Sequence, residues 1–151
     1  MKQKNNMEKM KVQLCDLALK VANTFNVKLD FTHESIKDVE KILGEFHKEY
    51  LHTQDDKSLR GIAVEFAAYI ICVIEKNEEK GKWEKGQDQR FPFPYHWKGL
   101  TLFPYSWCIK RIFNGKSDNV WTKYKLFVID KLQNKHHMGK TVKKTKGKRR
   151  R

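Results

Sequence analysis

The chain has 151 residues and 18.0 kDa, the size of one domain, and carries a formal charge of +14 from 32 Lys and Arg against 18 Asp and Glu. Folding at this length hides roughly 68–70% of the unfolded surface, so a core needs no disulfide or structural metal. Three widely spaced cysteines without a Cys-x-x-Cys pair argue against a disulfide scaffold, and no stretch reaches the ~20 apolar residues of a spanning helix.

The N-terminal lysines Lys2, Lys4, Lys9 and Lys11 are not followed by an apolar run, so neither secretion nor membrane insertion is expected and the location predicted is the cytoplasm. Apolar residues then recur at spacings of three and four from Met7 to Phe25 (Leu14, Leu17, Val21), which predicts an amphipathic helix. Val27, Leu29 and Phe31 alternate with polar residues, a short extended piece. Thr32 or His33 opens a second helix with Ile36, Val39, Ile42, Leu43 and Phe46 on one face. A polar loop is expected over Leu51 to Lys57.

A third helix is predicted over Asp56 to Asn77. From Ile62 to Ile74 every residue is apolar except Glu65, so this helix must be wrapped on all sides. Its thirteen apolar-rich residues span about 20 Å at ~1.5 Å per residue, too short for a ~30 Å hydrocarbon layer, so the wrapping is protein.

Beyond Gly81 the period falls to two: Phe91, Phe93, Tyr95 and Trp97 read as a strand, with Pro92 and Pro94 restricting it to an edge or a bulge. Trp83 belongs to a preceding strand, and Lys98-Gly99 turns the chain into a third at Leu100 to Phe103. Pro104 starts a fourth helix and Asn114-Gly115 ends it with a left-handed cap. Ser117 or Asp118 begins a fifth helix, bearing Val120, Tyr124, Phe127, Val128 and Leu132. The fold expected is α+β: about five helices around a central buried helix, packed with a small three-stranded antiparallel meander. Residues 1–134 form the single domain and 135–151 a basic tail.

The tail holds nine cations and no acid, leaving 23 cations against 18 acids, a net +5, for the domain. Its composition predicts disorder when alone, because Val142 is the only aliphatic residue beyond Met138. Lys140, Lys143, Lys144, Lys146, Lys148, Arg149, Arg150 and Arg151 are the candidate nucleic-acid contacts, since such a run neutralises phosphates without reading bases.

Chemistry-bearing patterns are sparse. Gly115-Lys116-Ser117 and Gly139-Lys140-Thr141 end like phosphate-binding loops but lack the first glycine five residues earlier, where Lys110 and Asn134 stand. The six histidines show no ligand spacing, so no metal or cofactor is expected. Glu65, the lone charge in the apolar helix, must pair with a cation, reach solvent or take up a proton, and is a candidate pocket carboxylate. Cys108 near the start of the fourth helix is the other candidate pocket residue, set against a plain core role. The aromatic block from Arg90 to Trp107 mixes rings with cations as base-stacking surfaces do, although strand aromatics more often face a core. No catalytic residue is assigned.

The segments Leu29-Asp30-Phe31-Thr32-His33-Glu34-Ser35-Ile36, Phe66-Ala67-Ala68-Tyr69-Ile70-Ile71-Cys72-Val73-Ile74 leading to Trp83, and Pro104-Tyr105-Ser106-Trp107 leading to Asn114-Gly115 resemble a group of small uncharacterised bacterial α+β domains. The resemblance covers about residues 27 to 130 and departs at Ala67 and Cys72, where those helices carry glycine and an acid. It implies a fold layout and no activity. The function expected is a non-catalytic binding protein whose tail adds nonspecific nucleic-acid affinity or meets an acidic protein. The alternative is a protein-interaction module of the immunity, antitoxin or phage accessory kind; a small enzyme ranks behind both.

Overall fold

A computed structural model describes residues 2–133; the tail and its candidate contacts, Lys140 to Arg151, lie outside them. The first helix, α1 (Lys2–Thr24), starts five residues before the apolar periodicity does, because Lys and Gln propagate a helix without needing burial. It ends in a Schellman motif: Val27 N–H donates to the Ala22 carbonyl and Asn26 N–H to that of Asn23, with Asn26 at φ +59°.

Residues 27–30 are irregular and form no strand. Leu29 is buried in the core without a partner strand, so the alternating pattern reflects anchoring rather than sheet. A 3₁₀ turn at His33–Ser35 leads into α2 (Ile36–Thr53), with the Thr32 hydroxyl accepting from Ser35 N–H. Helix α2 runs through Leu51, His52 and Thr53, so the loop expected from Leu51 to Lys57 shrinks to Gln54 and Asp55, with Gln54 closing the helix at φ +56°. Polarity there marks an exposed last turn, which sequence pattern confuses with a loop.

Helix α3 (Asp56–Asn77) has the predicted bounds and is the core element. Phe66 through Ile71 are all fully buried, as are Val73 and Ile74, and α1, α2 and α4 pack around them. The sheet is the expected meander: β1 (Lys82–Trp83), β2 (Tyr95–Trp97) and β3 (Leu100–Leu102), antiparallel in that order. Lys98 and Gly99 both have positive φ, +48° and +75°, as a two-residue type I′ hairpin turn requires. Strand β2 omits Phe91 and Phe93. Between the two prolines Phe93 takes φ +56°, although its N–H still donates to the Lys85 carbonyl and Glu84 N–H to that of Pro94.

Helix α4 (Pro104–Asn114) begins with Pro104 in its first turn and ends at Gly115, whose φ of +92° with ψ −151° is open to glycine alone rather than the left-handed helical cap expected. A 3₁₀ turn follows at Lys116–Asp118, and α5 (Val120–Tyr124) is capped by Asn119, whose Oδ1 accepts from Thr122 N–H. The cap therefore falls one residue after the expected Asp118. Helix α5 continues through a π-helical stretch, Lys125–Ile129, and returns to α-helix over residues 130–133.

Candidate functional site

The α2 lead-in, the end of α3 and the π-stretch after α5 meet at an open groove of about 510 Å³ lined by Thr32, His33, Glu34, Asn77, Glu78, Ile129, Leu132 and Gln133. Backbone strain gathers beside it. Phe31, a bulky residue, takes φ +63°. Its neighbours hold it there: Phe31 N–H donates to the Tyr69 hydroxyl at 2.9 Å, Asn77 Nδ2 donates to the Phe31 carbonyl at 2.8 Å, and Lys76 Nζ sits 3.8 Å above the ring. The Tyr69 hydroxyl and Ser35 Oγ are 2.7 Å apart, and Ser35 Oγ donates to the Thr32 carbonyl at 2.6 Å. This row of hydrogen bonds needs a protonated tyrosine that donates to Ser35, and burial pushes the Tyr69 phenol up to about 12.

Across the groove wall His33 links two elements. Its Nδ1 lies 2.5 Å from the Tyr124 hydroxyl of α5, and its Nε2 is 3.5 Å from a carboxylate oxygen of Glu78 at the end of α3. Burial, with Glu78 and Tyr69 nearby, raises the Tyr124 phenol far above its usual range, so its O–H stays on beside Nδ1. Tyr124 is fully buried and touches no solvent, so this Tyr–His–Glu row orients the histidine and pins three elements together.

The groove contains no poised nucleophile. Thr32 Oγ1 donates to Asp30, and Asn77 Nδ2 is occupied by the Phe31 and Val73 carbonyls. What remains is a rim with two acids, Glu34 and Glu78, above apolar Ile129 and Leu132. The π-stretch carries one extra residue per turn, rotating the face that Ile129 and Leu132 present.

Neither candidate pocket residue lines this groove. Glu65 is half-buried on α3; its Oε1 is shut from solvent without a hydrogen bond, and among the described residues it has no ion-pair partner. Burial raises its carboxyl above the ordinary range. Cys108 is wholly buried in α4, and desolvation raises its thiol, outweighing any lowering by the helix dipole. The aromatic block divides: Tyr95, Trp97, Tyr105 and Trp107 are buried, while Phe91 is exposed. Four of its rings are therefore closed to stacking on bases. His47 is used within the fold, with Nδ1 2.7 Å from the Ile112 carbonyl. Gly115-Lys116-Ser117 follows a helix instead of a strand, which removes the phosphate-loop geometry.

Sequence reasoning missed Tyr124, Glu78, Tyr69 and Asn77. The available signal was that buried tyrosines seek a partner for their hydroxyl. Which partner, 91 residues away in the case of His33, only the fold decides. Among the described residues no three His, Cys, Asp or Glu gather as a metal site, and no helix is long and apolar enough to cross a membrane. Comparison with family models, curated proteins and solved structures finds no match to this chain.

Proposed function

We propose that this chain is a non-catalytic binding protein whose C-terminal tail contacts nucleic-acid phosphates without base preference. The observation that carries the proposal is the run of nine cations and no acid over residues 135–151. The folded part supports it by contrast. Many of its cations are already engaged by its own carboxylates, Arg111 by Glu40, Lys11 by Glu75, Lys123 by Asp118 and Lys37 by Glu34. The polyanion therefore meets the tail.

If all nine tail cations meet duplex phosphates, log K falls against log salt with a slope of about −8. Binding of fluorescent duplex DNA and RNA, measured across a salt series for the full chain and for a truncation ending at Asn134, tests this. The truncated chain is expected to lose most affinity and most of the slope. Equal affinity and slope in the two chains overturn the proposal.

A second reading, a protein-interaction module, is favoured by the exposed Leu126 and Phe127 on the π-stretch, 57% and 41% accessible, close in sequence to the groove's apolar floor. A partner retained by the truncated chain after nuclease treatment, and lost on Leu126→Asp with Phe127→Asp, supports it over the tail.

A further inference from the structure

We propose that Cys15 and Cys72 form a hydroperoxide-reactive dithiol in which Cys72 attacks and Cys15 resolves, leaving an intramolecular disulfide that joins α1 to α3.

The helix register places the two sulfurs together. Buried Lys11 of α1 pairs with Glu75 of α3. Four residues further along α1 and three residues back along α3 stand Cys15 and Cys72, the positions that face each other when the two helices run antiparallel. The ion pair of Glu8 with Lys80, before Lys11 on α1 and after Glu75 beyond the end of α3, sets that antiparallel register. Beyond Cys15 the same face continues with Ala18 and Ala22, both fully buried, so small side chains let α1 lie close against α3. Cα atoms of the two helices approach within 8 Å, and a disulfide needs Cα atoms about 4.4–6.8 Å apart.

The two thiols are unequal in ways that assign their roles. Cys15 is buried, 5% accessible, whereas Cys72 is partly exposed and offers the entrance to an oxidant. The neighbouring Cys15 thiol draws the Cys72 thiol below its ordinary range against the effect of burial, and Lys11 and Lys76 add to the lowering while Glu75 opposes it. The neighbouring Cys72 thiol and burial push the Cys15 thiol up. A lowered, reachable thiol beside a protonated, shielded one is the arrangement of an attacking and a resolving cysteine. Cys108, fully buried with its thiol raised, takes no part.

The chemistry balances with a hydroperoxide, ROOH, as oxidant. The Cys72 thiolate attacks the terminal peroxide oxygen, the O–O bond breaks, and the alkoxide leaves as ROH with the proton the thiol gave up. Cys72 is now a sulfenic acid. The Cys15 sulfur attacks the Cys72 sulfur, the S–O bond breaks, and the hydroxyl departs as water with the Cys15 proton. Two thiols and one hydroperoxide become one disulfide, one ROH and one water.

The test uses the full, reduced chain titrated with hydrogen peroxide, then denatured in N-ethylmaleimide and read by intact mass and peptide mapping. One equivalent is expected to remove two alkylatable thiols and to yield a single within-chain cross-link between the peptides holding Cys15 and Cys72. Cys15→Ser is expected to accumulate a dimedone-reactive sulfenic acid at Cys72, and Cys108→Ser to behave as the parent. An oxidised parent chain in which Cys15 and Cys72 are both still alkylated, or are linked only between chains, overturns the proposal. The mapping on the parent chain decides this whether or not either variant folds.

Discussion

Arg111 is the residue whose surroundings say most about how this fold is held. It is 4% accessible, its Nε lies 2.9 and 2.8 Å from the two carboxylate oxygens of Glu40, and Glu40 Oε1 also accepts from Val120 N–H at 2.9 Å. One carboxylate thus ties α2 to α4 and caps the start of α5. Burying such a pair gains little over an apolar pair, but breaking it leaves a charge stranded. Nη1 of Arg111 already lacks a partner, so no spare acceptor stands ready to take over from Glu40. Glu40→Ala is therefore expected to cost about 3–5 kcal/mol in urea unfolding. The double variant Glu40→Ala with Arg111→Met is expected to recover much of that loss, because the stranded charge goes with the arginine. The sequence shows an arginine in an otherwise apolar helix face and an acid in the second helix; nothing in their spacing of 71 residues couples them.

Among the elements, the β-meander depends on a close approach that its own short strands cannot provide. A Cβ on Gly81 would lie 2.5 Å from the His96 carbonyl oxygen and 2.6 Å from the Tyr95 ring. Gly81 N–H donates to the Tyr95 hydroxyl at 2.9 Å, and that hydroxyl donates to Glu75 at 2.8 Å, which connects sheet, α3 and Lys11 of α1 in one buried polar chain. Burial, with Glu75 beside it, raises the Tyr95 phenol and keeps its proton in place. Gly81→Ala is expected to push β1 from β2 and cost about 1–3 kcal/mol, read as faster amide exchange at Lys82 and Trp83 than at α3. The elements themselves were largely legible. Helix α3, the Lys98-Gly99 turn and the Pro104 start follow from local rules, since apolar periodicity and the φ demands of glycine and proline act within a few residues. Where the expectation failed, at residues 91–94, alternating side chains were read as strand, while residues 27–31, read as a short extended piece, join no sheet. Their backbones lie outside any regular ladder because Asn26, Phe31 and Phe93 turn through positive φ.

Taken as one molecule, the chain has opposing titrations. Hydrogen bonds from Lys11 and Lys80 lower the Glu8 carboxyl against its partial burial, those from Lys82 and His96 lower Glu84, and those from Asn114 and Lys123 lower Asp118. A carboxyl lowered on folding stabilises the native state above its unfolded value, 4.5 for Glu and 3.8 for Asp, and loses that contribution as the pH falls through the folded value. Thermal stability is accordingly expected to drop on acidification below about pH 4. Glu65 runs the other way. Its carboxyl is raised by burial, so the native state favours the protonated form and forfeits stability as the pH climbs past 4.5. Glu65→Gln is expected to raise the melting temperature at pH 8, with the gain shrinking toward zero at pH 4. A gain that is independent of pH would show that ionisation of Glu65 is not its source.

The sequence by itself determined the α+β class, five helices with α3 at the centre, the order of three antiparallel strands and the concentration of charge in the last seventeen residues, because each follows from composition or from periodicity over one element. The tertiary structure alone decided which side chains meet. It set His33 between Tyr124 and Glu78, Arg111 on Glu40 and Lys11 on Glu75, and it kept Glu65 and Cys108 out of the groove. Those pairings depend on how helices cross and how far each is rotated about its own axis, quantities set by the packing of the whole core and written in no local stretch of residues.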